Sequence, residues 1–169
     1  GPVTISNNNF NRGGVELSDQ NAGAGTITVT NNTFNGTFAI SSAPGSAILR
    51  VRNNYNGITH NISNNTFNAY DWAVSLENMN NITLNANTFN TSVANAHAIV
   101  VNTKSISTNS NTIVQVPVAG TFTNNNFNGT GNAFTFANHD NDNAAFGTFT
   151  LGTAGNENNF AAALSSFVV

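Results

Sequence analysis

The sequence Ile27-Thr28-Val29-Thr30-Asn31-Asn32-Thr33-Phe34-Asn35-Gly36 decides the fold, because the chain repeats it with the same internal spacing. When the aromatic residue is taken as position zero, an asparagine stands two residues before it in every copy: Asn8, Asn32, Asn65, Asn87, Asn111 and Asn125. The zero position itself is occupied by Phe10, Phe34, Phe67, Phe89, Ile113 and Phe127, and a degenerate further copy ends at Phe160. Repetition with a period of this size indicates a solenoid.

Two further positions of the repeat keep a constant character. Five residues before position zero the side chain is apolar in every copy except the one with Thr108: Ile5, Val29, Ile62, Leu84 and Phe122. Six residues before it stands a small polar residue: Thr4, Thr28, Asn61, Thr83, Ser107 and Thr121. Each copy therefore predicts a strand with one face in the core and one toward solvent, followed by an asparagine-rich turn.

The spacing between copies varies along the chain. Phe34 follows Phe10 by 24 residues, Phe67 follows Phe34 by 33, and Phe89 follows Phe67 by 22. Ile113 comes 24 residues later and Phe127 only 14 after that, so the register is least constrained there. Alternating or apolar segments between the turns predict further strands at 14–19, 38–40, 48–52, 72–76, 97–101, 134–136 and 147–151, and helical periodicity is absent.

The composition is polar but nearly uncharged. Only 7% of the 169 residues are charged, about a fifth are asparagine, and the net charge is −3. With four cationic side chains in the chain, extensive contact with phosphates is excluded, so we expect no nucleic-acid partner. No apolar run approaches the ~20 residues of a membrane span. There is no cysteine, so disulfides do not stabilise the fold.

Short strands separated by Asn and Gly can form antiparallel hairpins or a coil of parallel strands. The Asn-Gly pairs at 35–36, 56–57 and 128–129 are typical of hairpin turns. Hairpins give no reason for one residue type to recur at one offset, whereas each turn of a coil stacks ~4.8 Å above the previous turn. Stacked asparagines can then pass amide hydrogen bonds along the coil, beside stacked phenylalanines. We predict an all-β parallel β-helix of about six to seven rungs over residues 1–169, as one domain, a filament subunit or a fragment of a longer solenoid.

These turns also carry a resemblance to a known superfamily. The Asn-Asn-Thr-Phe-Asn turns, preceded by Ile-Thr-Val or Ile-Thr-Leu strands, resemble the right-handed parallel β-helix of the pectate-lyase-like superfamily over nearly the whole chain. The resemblance implies a right-handed coil but no single activity. That fold hosts polysaccharide lyases and hydrolases, phage tailspikes, autotransporter passengers and large adhesins.

Catalysis is not expected of this chain. Pectin-cleaving members of the superfamily need clustered carboxylates, and the lyases also need calcium and a basic side chain. The acidic residues here are scattered in sequence: Glu16, Asp19, Asp71, Glu77, Asp140, Asp142 and Glu157. No pair stands at matching offsets in adjacent rungs, and no Arg or Lys accompanies them in a recognisable motif. We predict a protein that is not an enzyme and that resembles the structural or adhesin-type members.

A calcium loop is the one metal site that the sequence suggests. Residues 139–143 place Asp140 and Asp142 at alternate positions, where carboxylate oxygens could bind calcium. The segment lacks the glycine of the sharp turn and the distal glutamate of an EF-hand. A solvated loop is therefore favoured, and no cofactor is expected.

A second segment could contact a glycan. Tyr70, Asp71 and Trp72 form a candidate platform for stacking a sugar. Trp72 is also in phase with the apolar Val74 and Leu76, and this position favours the core over the surface. His60 and His97 have no partner pattern, so we expect packed or surface imidazoles rather than metal ligands.

The small polar residues at the minus-six position are expected to face solvent. A flat threonine array is typical of ice-binding solenoids, and the sequence allows that alternative. The row expected here is one residue wide, irregularly spaced and interrupted by Asn61 and Ser107. Ordinary solvent-facing polar residues are therefore favoured.

We expect an extracellular or cell-surface structural module, such as a β-helical segment of an adhesin, a matrix protein or a surface filament. A chain rich in Asn, Thr, Ser and Gly and poor in Lys is typical of secreted microbial proteins. No capping unit is recognised before Val3 or within the apolar segment 160–169, and open strand edges pair readily with other chains. The predicted partner is another copy, stacked head to tail, or a neighbouring β-helix segment. The alternative is a carbohydrate-binding or polysaccharide-cleaving β-helix with glycans as partners.

Overall fold

In the computed structural model the repeating units stack as rungs of a coil, and each rung contains three short strands. The structure describes residues 1–18, 25–36, 47–52, 58–69, 71–102, 118–137, 146–161 and 164–168. Eighteen strands and no helix occur within these ranges, which confirms the prediction of an all-β fold.

The strands follow one another in the same order in every rung. The first three rungs contain β1 (Val3–Ser6), β2 (Asn9–Asn11), β3 (Val15–Ser18), β4 (Gly25–Thr30), β5 (Thr33–Gly36), β6 (Leu49–Arg52), β7 (Ile58–Ser63), β8 (Thr66–Ala69) and β9 (Trp72–Glu77). The last three contain β10 (Ile82–Asn85), β11 (Thr88–Thr91), β12 (His97–Asn102), β13 (Val118–Thr123), β14 (Asn126–Gly129), β15 (Gly131–Ala137), β16 (Phe146–Leu151), β17 (Asn159–Phe160) and β18 (Leu164–Val168). The strands predicted between the turns correspond to β3, β6, β9, β12, β15 and β16, while the segment 38–40 lies outside the described residues.

Strands at equivalent positions of successive rungs pair side by side and parallel. Sheet A has the order β1-β4-β7-β10-β13-β16, sheet B has β2-β5-β8-β11-β14-β17, and sheet C has β3-β6-β9-β12-β15-β18. Every strand therefore bonds to its counterpart in the neighbouring rungs, as in the pairs β4–β7, β5–β8 and β6–β9. The described strands form a parallel β-helix of six rungs, and the copy ending at Phe160 belongs to the sixth.

The separate rung predicted around Ile113 is wrong. β11 pairs directly with β14, which aligns Phe89 with Phe127, and Asn87 donates a side-chain hydrogen bond to Asn125 at 3.1 Å. Directly paired strands leave no room for another rung between them. One step of 38 residues therefore replaces the expected steps of 24 and 14. The residues assigned to that rung lie outside the described part of the chain: Ser107, Thr108, Asn111 and Ile113.

The turn between sheets A and B explains why asparagines occur in pairs. In the first five rungs two residues link the strands there, and the first has a left-handed φ of 60° at Asn7, 56° at Asn31, 55° at Asn64 and 56° at Asn124. Asparagine adopts this conformation more readily than other residues with a side chain. Ala86 takes the same conformation in the fourth rung, with a φ of 56°. The second residue of each turn is the asparagine of the repeat.

The turn from β14 into sheet C requires glycine. Gly129 has a φ of 106°, and a Cβ atom there would lie 2.1 Å from the carbonyl oxygen of Thr91. Gly131 has a φ of 95°, and its Cβ would lie 2.4 Å from the carbonyl oxygen of Ala96. A side chain at either position would collide with the backbone of the preceding rung, so the close approach of the two rungs depends on both glycines.

One imidazole lies in the apolar interior of the coil. The register of sheet A places His60 between Ile27 and Ile82, and its side chain is 1% exposed. Burial in these surroundings lowers the pKa of His60 to about 4, because the charged imidazolium loses its hydration. His60 is thus a packed core residue.

The buried imidazole makes stability depend on pH. The unfolded chain binds a proton at His60 below about pH 6.5, whereas the folded chain binds it only near pH 4, so stability falls as the pH drops between these values. We expect His60 to remove about 2–3 kcal/mol from the free energy of unfolding between about pH 7.5 and pH 4.5. Urea unfolding of the wild type and of His60→Leu at both values measures the effect. The variant should lose less stability on acidification, and parallel pH profiles for the two proteins would contradict the assignment.

Candidate functional site

An asparagine ladder runs through the whole coil at the turn between sheets A and B. Its members are Asn8, Asn32, Asn65, Asn87, Asn125 and Asn158. In each step the side-chain amide donates to the Oδ1 atom of the next rung, at 3.0–3.1 Å. Asn111, which the repeat predicts as the member between Asn87 and Asn125, lies outside the described residues, and Asn87 bonds directly to Asn125. Asn158 follows Asn125 as the sixth member.

Each asparagine also bonds to the backbone. The Oδ1 atom of Asn65 accepts from the backbone N–H of Asn32 at 2.9 Å, and its Nδ2 atom donates to the carbonyl oxygen of Val29 at 2.8 Å. Asn87 repeats both contacts with Asn65 and Ile62, at 3.0 and 2.9 Å. The ladder therefore satisfies backbone groups at a corner where the strand hydrogen bonds stop.

A stack of phenylalanine rings lies beside the ladder on the inner face of sheet B. Its members are Phe10, Phe34, Phe67, Phe89, Phe127 and Phe160. Successive ring centroids are 4.8–5.1 Å apart, and the planes differ by 14° at most. The four middle rings are fully buried, and the two end rings are partly buried. The stack therefore repeats at the rung spacing and fills one corner of the core.

A second ladder, which the sequence did not lead us to predict, lies on the outer face of sheet B. Its members directly follow the stacked phenylalanines: Asn11, Asn35, Asn68, Asn90 and Asn128. Their side chains are linked by hydrogen bonds of 2.7–3.3 Å. The signal was present, because an asparagine follows position zero in each of these copies.

The outer face of sheet A is broader and more regular than expected. In its central row the register aligns Thr4, Thr28, Asn61, Thr83, Thr121 and Thr150. A second row aligns Ser6, Thr30, Ser63, Asn85 and Thr123. A third begins with Thr26 and Thr59 on the other side of the central row. We call this surface the hydroxyl face. The expectation of a single irregular row is wrong. Rungs differ in length only between their strands, so the strands themselves stay in register.

Sheet C carries a network of ion pairs that the sequence did not reveal. Arg50 contacts Glu77 through two hydrogen bonds of 2.8 and 2.7 Å, and Glu77 is completely buried. Glu16 pairs with Arg50 at 3.3 Å and with Arg52 at 2.6 Å. The hydrogen bond to Glu77 raises the pKa of Arg50. Ser75 donates a further bond to Glu77 at 3.0 Å, so this carboxylate is held as a structural partner.

The candidate glycan platform is only partly described. Tyr70 lies outside the described residues. Trp72 is half-buried, so the prediction that Trp72 belongs to the core is wrong. The Trp72 ring packs edge-on against His97, with centroids 5.4 Å apart, and Nδ1 of His97 lies 2.7 Å from Oγ1 of Thr135. Burial raises the pKa of Asp71 and lowers that of His97, and their mutual attraction opposes both shifts. A partly exposed aromatic ring thus lies beside an acid and an imidazole.

The candidate calcium loop cannot be placed in the described structure. Asp140 and Asp142 lie outside the described residues. Within the described ranges, no three His, Asp or Glu side chains come together as metal ligands. No helix suited to crossing a membrane occurs in the part of the chain that the structure describes.

Comparisons with known proteins gave no relative. A scan against models of protein families found no match, and searches of curated proteins and of solved structures found none either. The function of the chain is therefore inferred from its own residues and their geometry.

Proposed function

We propose that this chain is a structural module of an extracellular β-solenoid, and that its end rungs stack on the rungs of another solenoid, including a second copy of this chain. The observation that carries the proposal is the continuity of the ladders. The asparagine ladder and the phenylalanine stack both extend from the first rung to the sixth.

Each unit of the ladder has an acceptor on one side and donors on the other. Asn8 donates to Asn32 at 3.1 Å, so its own Oδ1 atom is placed to accept from a preceding rung. Asn158 accepts from Asn125 at 3.0 Å, and its amide is placed to donate to a following rung. Two end rungs with complementary donors and acceptors favour a head-to-tail contact, which does not close on itself.

The apolar surface of the end rungs supports the same interpretation. Val3 in the first rung is 47% exposed, and Phe146 and Leu151 in the sixth rung are 38% and 36% exposed. A neighbouring rung would bury these side chains. The low net charge of −3 means that little electrostatic repulsion would oppose association.

We further infer that the coil is a right-handed member of the pectate-lyase-like superfamily, of the structural or adhesin type. The inference is supported by three parallel sheets per coil and by the asparagine ladder at the corner between two of them. Right-handed connections between parallel strands are the general rule, which favours the same hand here.

Assembly of the purified chain tests the proposal. We expect linear polymers in electron micrographs and a sedimentation coefficient that rises with concentration. Phe160→Lys places a charge at the end of the phenylalanine stack and should block growth, whereas Asn159→Lys, an exposed position on the same strand, should assemble like the wild type. Thermal unfolding must show both variants folded. A wild type that stays monomeric at high concentration, or equal assembly of both variants, would overturn the proposal.

The second candidate is glycan binding at Trp72. It is favoured by the half-buried indole ring beside Asp71 and His97. A glycan-binding screen with wild type and Trp72→Ala tests it. Binding that is lost in the variant supports this function, and a screen without binding rejects it.

A further inference from the structure

We propose that the hydroxyl face of sheet A binds the surface of ice. This function goes beyond stacking of the module, because the face lies along the side of the coil and leaves the end rungs free.

The side chains of the hydroxyl face form a two-dimensional lattice. Along the coil, the distance between successive rungs is given by the centroid distances of the stacked phenylalanine rings, 4.8–5.1 Å. Across the coil, every second residue of a strand points outward, so neighbouring rows are about 6.4–6.8 Å apart. The oxygen atoms of an ice surface also repeat in two directions, at distances close to these. The paired strands hold these hydroxyl groups in a fixed arrangement, so they can contact several neighbouring positions of an ice surface at once.

The chemistry of the face suits a neutral lattice of water. Threonine presents a hydroxyl group, which bonds to water as donor and acceptor, beside an uncharged methyl group. Serine and asparagine at the remaining described positions of the rows are also uncharged. Charged side chains would hold their own hydration shells and disturb the match. The face therefore complements ice in charge as well as in spacing.

Shallow troughs lie between the rows of side chains. One is lined by residues that include Thr59, Thr83, Thr121 and Thr150. Another is lined by residues that include Thr28, Asn61 and Thr123. Hydroxyl groups on both sides of a trough would bind water molecules. Neighbouring waters would then be separated by the rung spacing rather than by the variable distances of liquid water. Such a row of waters is the start of an ice layer.

The same face is less suited to a polysaccharide. Sugar rings commonly pack on aromatic side chains, whose faces are broad and apolar. The aligned rows contain only threonine, serine and asparagine at the positions the structure pairs. The half-buried Trp72 belongs to sheet C, on another face of the coil.

Partition into slowly growing ice tests the proposal. A dilute solution of the full chain is partly frozen, and the protein concentration is compared between the ice and the remaining liquid. We expect enrichment of the wild type in the ice. Thr83→Tyr and Thr121→Tyr place rings on the central row, so both should lose this enrichment. Thr88→Tyr is the matched control, because Thr88 belongs to the same rung as Thr83 and is also half-buried, but faces outward from sheet B.

The outcomes separate the proposal from its alternatives. Thermal unfolding shows whether each variant is folded. If Thr83→Tyr or Thr121→Tyr fails to fold, the other variant still tests the proposal. Exclusion of the wild type from ice would overturn the proposal, as would equal losses in Thr83→Tyr and Thr88→Tyr. Binding of the wild type to insoluble crystalline polysaccharide, with no enrichment in ice, would also overturn it.

Discussion

Phe67→Ala is expected to lower the free energy of unfolding by about 3–5 kcal/mol. The ring is fully buried and lies between Phe34 and Phe89, with centroid distances of 4.9 and 5.0 Å. Its removal deletes contacts with both neighbours. The cavity cannot collapse along the coil axis, because the strand hydrogen bonds fix the spacing of the rungs. Urea unfolding at neutral pH measures the loss.

Phe10→Ala is the matched control for this prediction. Phe10 has a single stacked neighbour, Phe34 at 4.8 Å, and is only partly buried in the first rung. It should cost clearly less stability than Phe67→Ala. An enclosed apolar cavity of this kind can also bind benzene, so benzene should raise the melting temperature of Phe67→Ala but not that of Phe10→Ala. Equal losses in the two variants would contradict a continuous stack.

The repeat of the sequence predicts the coil well because each unit contacts only its neighbours. Asn65 and Phe67 lie two residues apart because both belong to the turn between sheets A and B and the strand that follows it. The same turn recurs in each rung. Insertions between corners leave that offset unchanged. The ladder and the stack could therefore be predicted from one sequence, together with parallel pairing of the strands.

The contacts that depend on rung length could not be predicted in the same way. Glu16, Arg50 and Glu77 meet only because rungs of unequal length bring β3, β6 and β9 into register. Sequence separations of 34 and 27 residues give no sign of such a pairing. The prediction of a separate rung around Ile113 is wrong for the same reason, because the long fourth rung contains a further copy of the turn pattern. The sequence predicts only one irregular row on the hydroxyl face, because the alignment of its rows also depends on these rung lengths.

The alanine substitution of Asn65 should lower the free energy of unfolding by about 3 kcal/mol or more, since buried groups left without partners cost about 1–3 kcal/mol each. The backbone N–H of Asn32 loses its acceptor at 2.9 Å, and the carbonyl oxygen of Val29 loses its donor at 2.8 Å. Asn65 is 1% exposed, so water cannot replace these bonds without opening the coil.

Asn68→Ala distinguishes a structural ladder from a general need for asparagine. Asn68 belongs to the outer ladder of the same rung, and it donates to Asn35 at 2.7 Å and accepts from Asn90 at 2.8 Å. Its side chain is only partly buried, so water can satisfy both neighbours after the substitution, and the loss should stay within about 1 kcal/mol. Urea unfolding of the two variants under one set of conditions gives the comparison. If Asn68→Ala costs as much as Asn65→Ala, the inner ladder is not what holds the corner. If Asn65→Ala loses much more free energy of unfolding, the bonds to Asn32 and Val29 are what hold this corner. Asparagine then recurs at the corner of each rung because it satisfies these backbone groups.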